Sequence, residues 1–372
     1  MPAYASYARL AQRLDDPAFQ PKPAFLALLG DQIYADATAG LFDPSALDDR
    51  YVRPYEKLFC NASVKNVRRR LPTVSMLDDH EIADNWEPRQ DGQPSADLAA
   101  GLKAYLKFQR TADLVPDGED GPVLPGARLG FAFAAEGVHF YMADTRTDRQ
   151  ARTPFNAATA EIMRPAWFTH LTDWLAQRHA ADPAAPKFIM TPSILAPGRI
   201  DAATFAGDAR CLRYDGWAGY PASLRRLLAF IADHAIGNVV LLSGDEHISC
   251  DAVLRIASPG MAQVEIRAIH SSALYAPFPF ANSCKADMAD TAYAFSFASP
   301  ADVERVYACN VRTEYVPGDG YALVSVQRAA GGWDVHCAFD RADGMVATSV
   351  AAAAPVARDG VPDAAVTERA PG

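Results

Sequence analysis

The sequence predicts an α/β fold, a layered sandwich of mixed β-sheets flanked by helices. Three observations lead there. Short continuous apolar runs at Phe25–Leu29, Pro72–Leu77 and Val239–Leu242 have the length and texture of strands covered on both faces. Stretches of helical period lie between them, the alternation that builds a layered core. Each run also closes on carboxylates: Gly30-Asp31 through Asp36, Asp78-Asp79-His80-Glu81 through Trp86, and Gly244-Asp245-Glu246-His247.

In order, Tyr7, Leu10, Ala11 and Leu14 recur at helical spacing over residues 4–19, and Pro21 and Pro23 stop that helix. The first strand runs from Phe25 to Leu29. Residues 45–70 read as helix ending in a basic cluster, Lys65, Arg68, Arg69 and Arg70, which suits a helix carboxyl end. Pro72–Leu77 is the second strand, residues 97–110 a helix, and Pro116–Pro125 a loop. Phe131–Ala134 and Val138–Ala143 read as a hairpin turning at Glu136-Gly137. Residues 161–180 form an amphipathic helix through Trp167, Leu171, Trp174 and Leu175. Lys187–Met190 is a strand, residues 221–236 a helix, and Val239–Leu242 the third motif-bearing strand. Beyond Asp251 strands dominate, at Val264–Ile269, Tyr321–Val326 and Trp333–Phe339, implying a second sheet or an antiparallel edge. Residues 1–345 read as one domain and the Ala/Pro-rich 346–372 as a flexible tail.

Composition narrows the function. Of 372 residues 35 are Lys or Arg and 45 Asp or Glu, a net charge of -10 that argues against specific nucleic-acid binding. The six cysteines lack the C-x-x-C spacing of zinc or redox sites and read as free thiols. No apolar run reaches bilayer length, and the start has no basic-then-apolar pattern. A cytoplasmic chain without a membrane span is the expectation. G-x-S-x-G, P-loop and G-x-G-x-x-G patterns are absent.

What remains are the strand-end acids. Ligands of α/β sheets collect at the carboxyl ends of strands. Asp31, Asp79 and Asp245 stand there, with His80 and His247 beside them. Oxygen donors suit Ca, Mg, Mn and Fe(III), and imidazole extends the range to Zn and Fe(II).

Gly30-Asp31-Gln32-Ile33-Tyr34-Ala35-Asp36, Asp78-Asp79-His80-Glu81, Asp144-Thr145-Arg146 and Gly244-Asp245-Glu246-His247 resemble, in order, the motifs of the PhoD-like alkaline phosphatases, within the calcineurin-like metallophosphatases. The resemblance implies a hydrolase of small phosphate mono- or diesters that uses a metal-bound hydroxide at a binuclear site, Fe(III) with Ca, Zn or Mn. It makes Asp31 the bridging carboxylate, with Tyr34, Asp79, Asp245 and His247 as further ligands. His80 becomes a proton donor or phosphate contact and Arg146 a phosphate-binding group. Asp36, Asp78, Glu81 and Asn85 support them. Trp217 and Tyr220, in a segment like the family's D-x-W-x-G-Y-P, either wall the substrate pocket or pack in the core. One departure stands out: the family's first strand, with its ligand, has no counterpart before Phe25. That departure motivates two rival readings, a catalytically silent relative binding a phosphorylated ligand or a single metal, and a hydrolase of non-phosphate esters.

Overall fold

The computed structural model describes residues 3–36, 46–109, 129–196, 209–275, 285–298, 304–330 and 332–349. Four layers stack in it. Strands β3 (Phe131–Ala135), β4 (Val138–Met142), β5 (Lys187–Thr191), β6 (Val239–Ser243), β7 (Ser249–Ala257), β8 (Val264–His270), β9 (Thr291–Ala298) and β10 (Glu304–Val316) form one large sheet of order β3-β4-β5-β6-β8-β7-β10-β9. Two small sheets face it: β1 (Leu26–Leu29) parallel with β2 (Thr73–Met76), and β11 (Ala322–Ala329), β12 (Gly332–Arg341) and β13 (Gly344–Ala347), all antiparallel. Phe140, Phe188 and Met190 of the large sheet meet Val74, Met76 and Phe339 of the small ones in a shared apolar layer.

Six α-helices lie among the described residues: α1 (Ala5–Asp15), α2 (Leu47–Cys60), α3 (Ala62–Arg70), α4 (Ala96–Phe108), α5 (Pro165–Ala181) and α6 (Pro221–Asp233). On the other face of the large sheet, Leu171 and Leu175 of α5 and Leu224, Leu227 and Leu228 of α6 pack on Ile189 and Leu241. Tyr7 and Leu10 of α1, Tyr55 of α2 and Val64 and Val67 of α3 form a separate core outside the small sheets.

The structure differs from the sequence-based expectation in several places. Residues 45–70 are two helices, because the Asn61 side chain accepts from Ser63 and Val64 N–H at 2.9 and 3.3 Å and starts α3 as its cap. The Phe25–Leu29 strand is not covered on both faces as expected. Among the described residues it pairs with β2 alone, and only Leu28 of the four β1 residues is buried. Strands β7, β9, β10 and β13 are additional to those expected, and the C-terminal third supplies both an antiparallel edge and a second sheet. Thr348 N–H bonds to the Cys337 carbonyl and Ser349 N–H to Glu314, so packed structure runs to residue 349; Pro116–Pro125 and most of the tail lie outside the described residues. Five cysteines are free thiols, and Cys284 is not described.

Strands β4, β5, β6 and β8 are mutually parallel where they pair. Their carboxyl ends therefore deliver Asp144, Thr191–Ser193, Asp245 and His270 to one side of the molecule.

Candidate metal centre

Three tight turns bring the acids together. After β1 the chain reverses through Gly30 and Asp31, with φ of 99° and 54°. A Cβ on Gly30 would lie 2.3 Å from that of Asp78, so only glycine lets the two acidic turns close. After β6, Gly244 passes so near the Leu29 carbonyl that a Cβ would sit 2.8 Å from it. Asp245 follows with φ 83° and Asn85 has φ 52°. Non-glycine residues in this left-handed region cluster where surrounding structure overrides local preference, which is typical of ligand sites.

Glu81 ties two of the turns. Its buried carboxylate accepts from Gln32 N–H at 2.6 Å, Asp78 N–H at 2.9 Å and Asp31 N–H at 3.0 Å. Burial, against these bonds, pushes it up to about 7. Asn85 is exposed, and its N–H holds Asp79 Oδ2 at 2.6 Å. Glu81 and Asn85 thus tie the acidic turns together.

Asp31, Asp78, Asp79 and Asp245 each place an oxygen within 4.8 Å of the others, and a second group joins Asp31, Asp79 and His80. Four carboxylates at that spacing repel strongly in a buried setting. Burial first, then the charges of its neighbours, raises Asp31 well above the carboxylate range, and Asp245 follows for the same reasons. Asp78 rises to about 7, burial and Asp79 outweighing Arg146. Oxygens of Asp31, Asp78 and Asp79 are buried without a hydrogen-bond partner. Buried carboxylates lacking donors and crowded by like charge fit cations, and these donor sets suit hard ones.

The imidazoles sit differently. His80 Nδ1 lies 2.8 Å from Asp36 Oδ2, whose oxygen also takes the Asp84 N–H at 2.7 Å. Burial works against charge on His80, but the Asp36 bond and the Asp79 and Asp84 carboxylates raise it to about 9. His247 falls outside these groups and a third one of Asp36, His80 and Asp84: its Nε2 is 2.9 Å from the Tyr34 hydroxyl, and burial lowers its basicity. The Tyr34 ring lies 4.4 Å from the His80 ring, tilted by 41°, and burial, ahead of the nearby acids, holds its phenol protonated. His270 is buried and bonded to Ser243 Oγ at 2.9 Å and the Glu246 carbonyl at 3.0 Å; burial drops it to about 4. It braces the Asp245 turn as neutral imidazole.

Arg146 is wholly buried. Its Nε donates to Asp78 at 2.6 Å, its terminal nitrogens to Asp215 and the Trp86 carbonyl, and Asp79 lies 3.8 Å away. Each guanidinium nitrogen donates to protein, so Arg146 holds the acids in place. Asp215, held well below the usual carboxylate range by Arg146 and Arg149 against its burial, also takes Arg149 Nη1 at 2.6 Å. Asp215 is the leading acid of the D-x-W-x-G-Y-P-like segment with its two aromatics, but nothing in the sequence says that it meets Arg146 and Arg149 in a buried double pair. Those aromatics are core: Trp217 and Tyr220 are fully buried, and Arg152 packs on the Tyr220 ring at 4.5 Å.

The chain matches the model of the PhoD-like phosphatase family over residues 2–277. A solved structure described as "Structure of PhoD" superimposes with a TM-score of 0.55 at 16% identity, over 93% of this chain and 68% of that one. No curated protein matches.

Proposed function

The chain belongs to the PhoD-like phosphatase family, and from that premise we propose that it hydrolyses small phosphate mono- or diesters at a two-cation centre. One observation carries this reading: four carboxylates, Asp31, Asp78, Asp79 and Asp245, meet within 4.8 Å while three of them keep an orphaned buried oxygen. Asp31 and Asp79 belong to two of the three ligand groups, which supports them as the acids two cations would share. Asp245 joins them in the larger group, and Tyr34 with His247 adds a phenol and an imidazole on the side of β6. A phenolate ligand favours Fe(III), with Ca, Zn or Mn as the second ion.

Bound cations supply charge neutralisation at the phosphoryl oxygens and lower the pKa of a coordinated water. The protein supplies the rest. Asp36 anchors Nδ1 of His80 and fixes a ring that stands in one ligand group with Asp31 and Asp79. A protonated imidazole there can give its proton to the departing alkoxide oxygen or bind the phosphate as a cation. Glu81 and Asn85 hold the two acidic turns, and Arg146 holds Asp78 and Asp215, so the ligands need little rearrangement.

Hydrolysis of a chromogenic phosphodiester and its monoester by the metal-replete protein tests the reading. Turnover with both metal dependence and sensitivity to Asp31→Asn is expected. No turnover under replete conditions contradicts it. A visible charge-transfer band lost in Tyr34→Phe would mark Fe(III); a colourless active protein would point to another ion.

A further inference from the structure

Arg146, Arg149 and Arg152 stand three residues apart after β4, and all three turn to one short segment, 211–220. Arg146 and Arg149 take its one carboxylate, Asp215. Arg152 takes its backbone. Nη1 donates to the carbonyls of Tyr214 at 2.6 Å, Gly219 at 3.1 Å and Cys211 at 3.3 Å, so the segment curls around one guanidinium. The fit is close: a Cβ on Gly219 would lie 2.2 Å from that nitrogen and 2.0 Å from the Tyr214 carbonyl oxygen. The Tyr220 ring covers the guanidinium at 4.5 Å, and its hydroxyl donates to the Gln150 carbonyl at 3.1 Å. The rest of Arg152 belongs to Glu87. That carboxylate accepts from Arg152 N–H at 2.8 Å and Nε at 2.6 Å, and Nη2 completes the pair. Glu87 follows Asn85, whose N–H holds Asp79, and Trp86, whose carbonyl accepts from Arg146 at 3.3 Å. The Glu87–Arg152 pair therefore joins the turn of Asp78 and Asp79 to the segment of Asp215, and Arg146 bonds to both.

We infer that Arg152 and Glu87 are positioning residues: they hold Asp215 against Arg146, and through Arg146 they fix the Asp78 oxygens that the acid cluster offers to a cation. Every link is a contact already described, from Glu87 to Arg152, to the carbonyls beside Asp215, to Arg146 and to Asp78. The segment itself forms short turns at Ala209–Arg213 and Trp217–Gly219, which do not by themselves fix where Asp215 points between them. A guanidinium supplies that fix because its forked donors serve the segment and Glu87 at once, which a single ammonium could not. With Arg152 removed, Asp215 is free to shift, and Arg146 shifts with it or loses a partner. Asp78 shares Arg146 and stands in the four-acid group, so its free oxygen loses a fixed position. Groups that orient ligands in this way set metal affinity without touching the metal. The consequence for cations rests on the two-cation reading; the hold on Arg146 does not.

Two measurements on the full chain keep these apart. In the metal-free protein, hydrogen exchange of the Arg146 Nε–H is followed by NMR, the resonance being assigned by its loss in Arg146→Lys. Arg152→Met is expected to speed that exchange about ten-fold or more. Calorimetry with manganese(II) is expected to show binding weakened about ten-fold or more in Arg152→Met. Added to Asp215→Asn, the same change should weaken it by less than about two-fold, because the path is already broken there. Glu87→Gln keeps the shape, removes the charge and should move both readings the same way, so the test stands if Arg152→Met does not fold. Leu171→Ala, a core truncation in α5, should lower stability in urea and leave both readings unchanged. Unchanged Arg146 exchange in the folded variants would overturn the inference. So would equal weakening of manganese(II) binding with and without Asp215→Asn, or equal effects from Leu171→Ala. A wild type that binds no manganese(II) while Arg152→Met still speeds the exchange would contradict the two-cation reading and uphold the hold on Arg146.

Discussion

Two buried charge assemblies share the carboxyl ends of the strands, and they differ in balance. Around Arg146, two guanidiniums meet the carboxylates of Asp78 and Asp215, and nearly every donor finds an acceptor. Around Asp31, carboxylates meet carboxylates, and oxygens are left orphaned. Asp78 belongs to both: Oδ1 takes the arginine and Oδ2 has no partner. The first assembly is complete in the protein alone. The second is complete only with cations, and the contrast separates residues that hold the site from residues that would do its chemistry.

The sharpest way to break the comparison is to change one residue from each side. Asp31→Asn removes a shared ligand, and turnover is expected to fall on the order of 10²–10³-fold or more with bound metal lost, while the fold of the metal-free protein is retained. Arg146→Met should do the reverse in kind. It strands Asp78 and Asp215 without their cation and should cost roughly 3–5 kcal/mol in urea unfolding. Adding Asp215→Asn should restore part of that loss; no restoration would mean that the pairing is not what stabilises this region.

A subtler contrast comes from pH. Asp78 and Glu81 have folded values near 7, above the unfolded carboxylate range near 4. Groups raised on folding contribute stability that is fully present below the unfolded value and lost as pH rises through the folded one. The metal-free protein should therefore weaken from about pH 4 to 7 by these two groups, and added cation should remove the trend. Asp215 works with the opposite sign, being depressed on folding, and its contribution is lost only in acid. Thermal midpoints across pH, with and without cation, check this. Smallest of all is Trp217→Phe. With Trp217 in the core, it should cost about 1–2 kcal/mol of stability and leave KM for phosphate esters unchanged. A large KM change would return Trp217 to the substrate pocket.

Much of this architecture is legible in the amino-acid sequence. Apolar runs ending in acids mark the strand ends because a buried strand must be continuous in hydrophobicity, and the layered class follows from the alternation. Asp31, Asp79, Asp245 and His80 can be named for the same reason. The Arg146 pairing cannot: Asp215 lies 69 positions away, and nothing local says which acid a buried arginine will meet. Strands β9 and β10 escape because their pair is largely solvated on one face, so polar residues interrupt its pattern. Strand β7 is masked in another way, since it begins directly after the Gly244–His247 motif and its own pattern is broken by Asp251 and Arg255. The half-covered state of β1 is invisible as well, since a run of Leu and Ala reads alike whether its second neighbour is present or not.

The most direct test of the central claim is cation binding to the metal-free protein by equilibrium dialysis and elemental analysis, wild type against Asp31→Asn. About two cations per chain, falling below about one in the variant, is the predicted result. Fewer than about one in the wild type, or equal binding by both proteins, would contradict it.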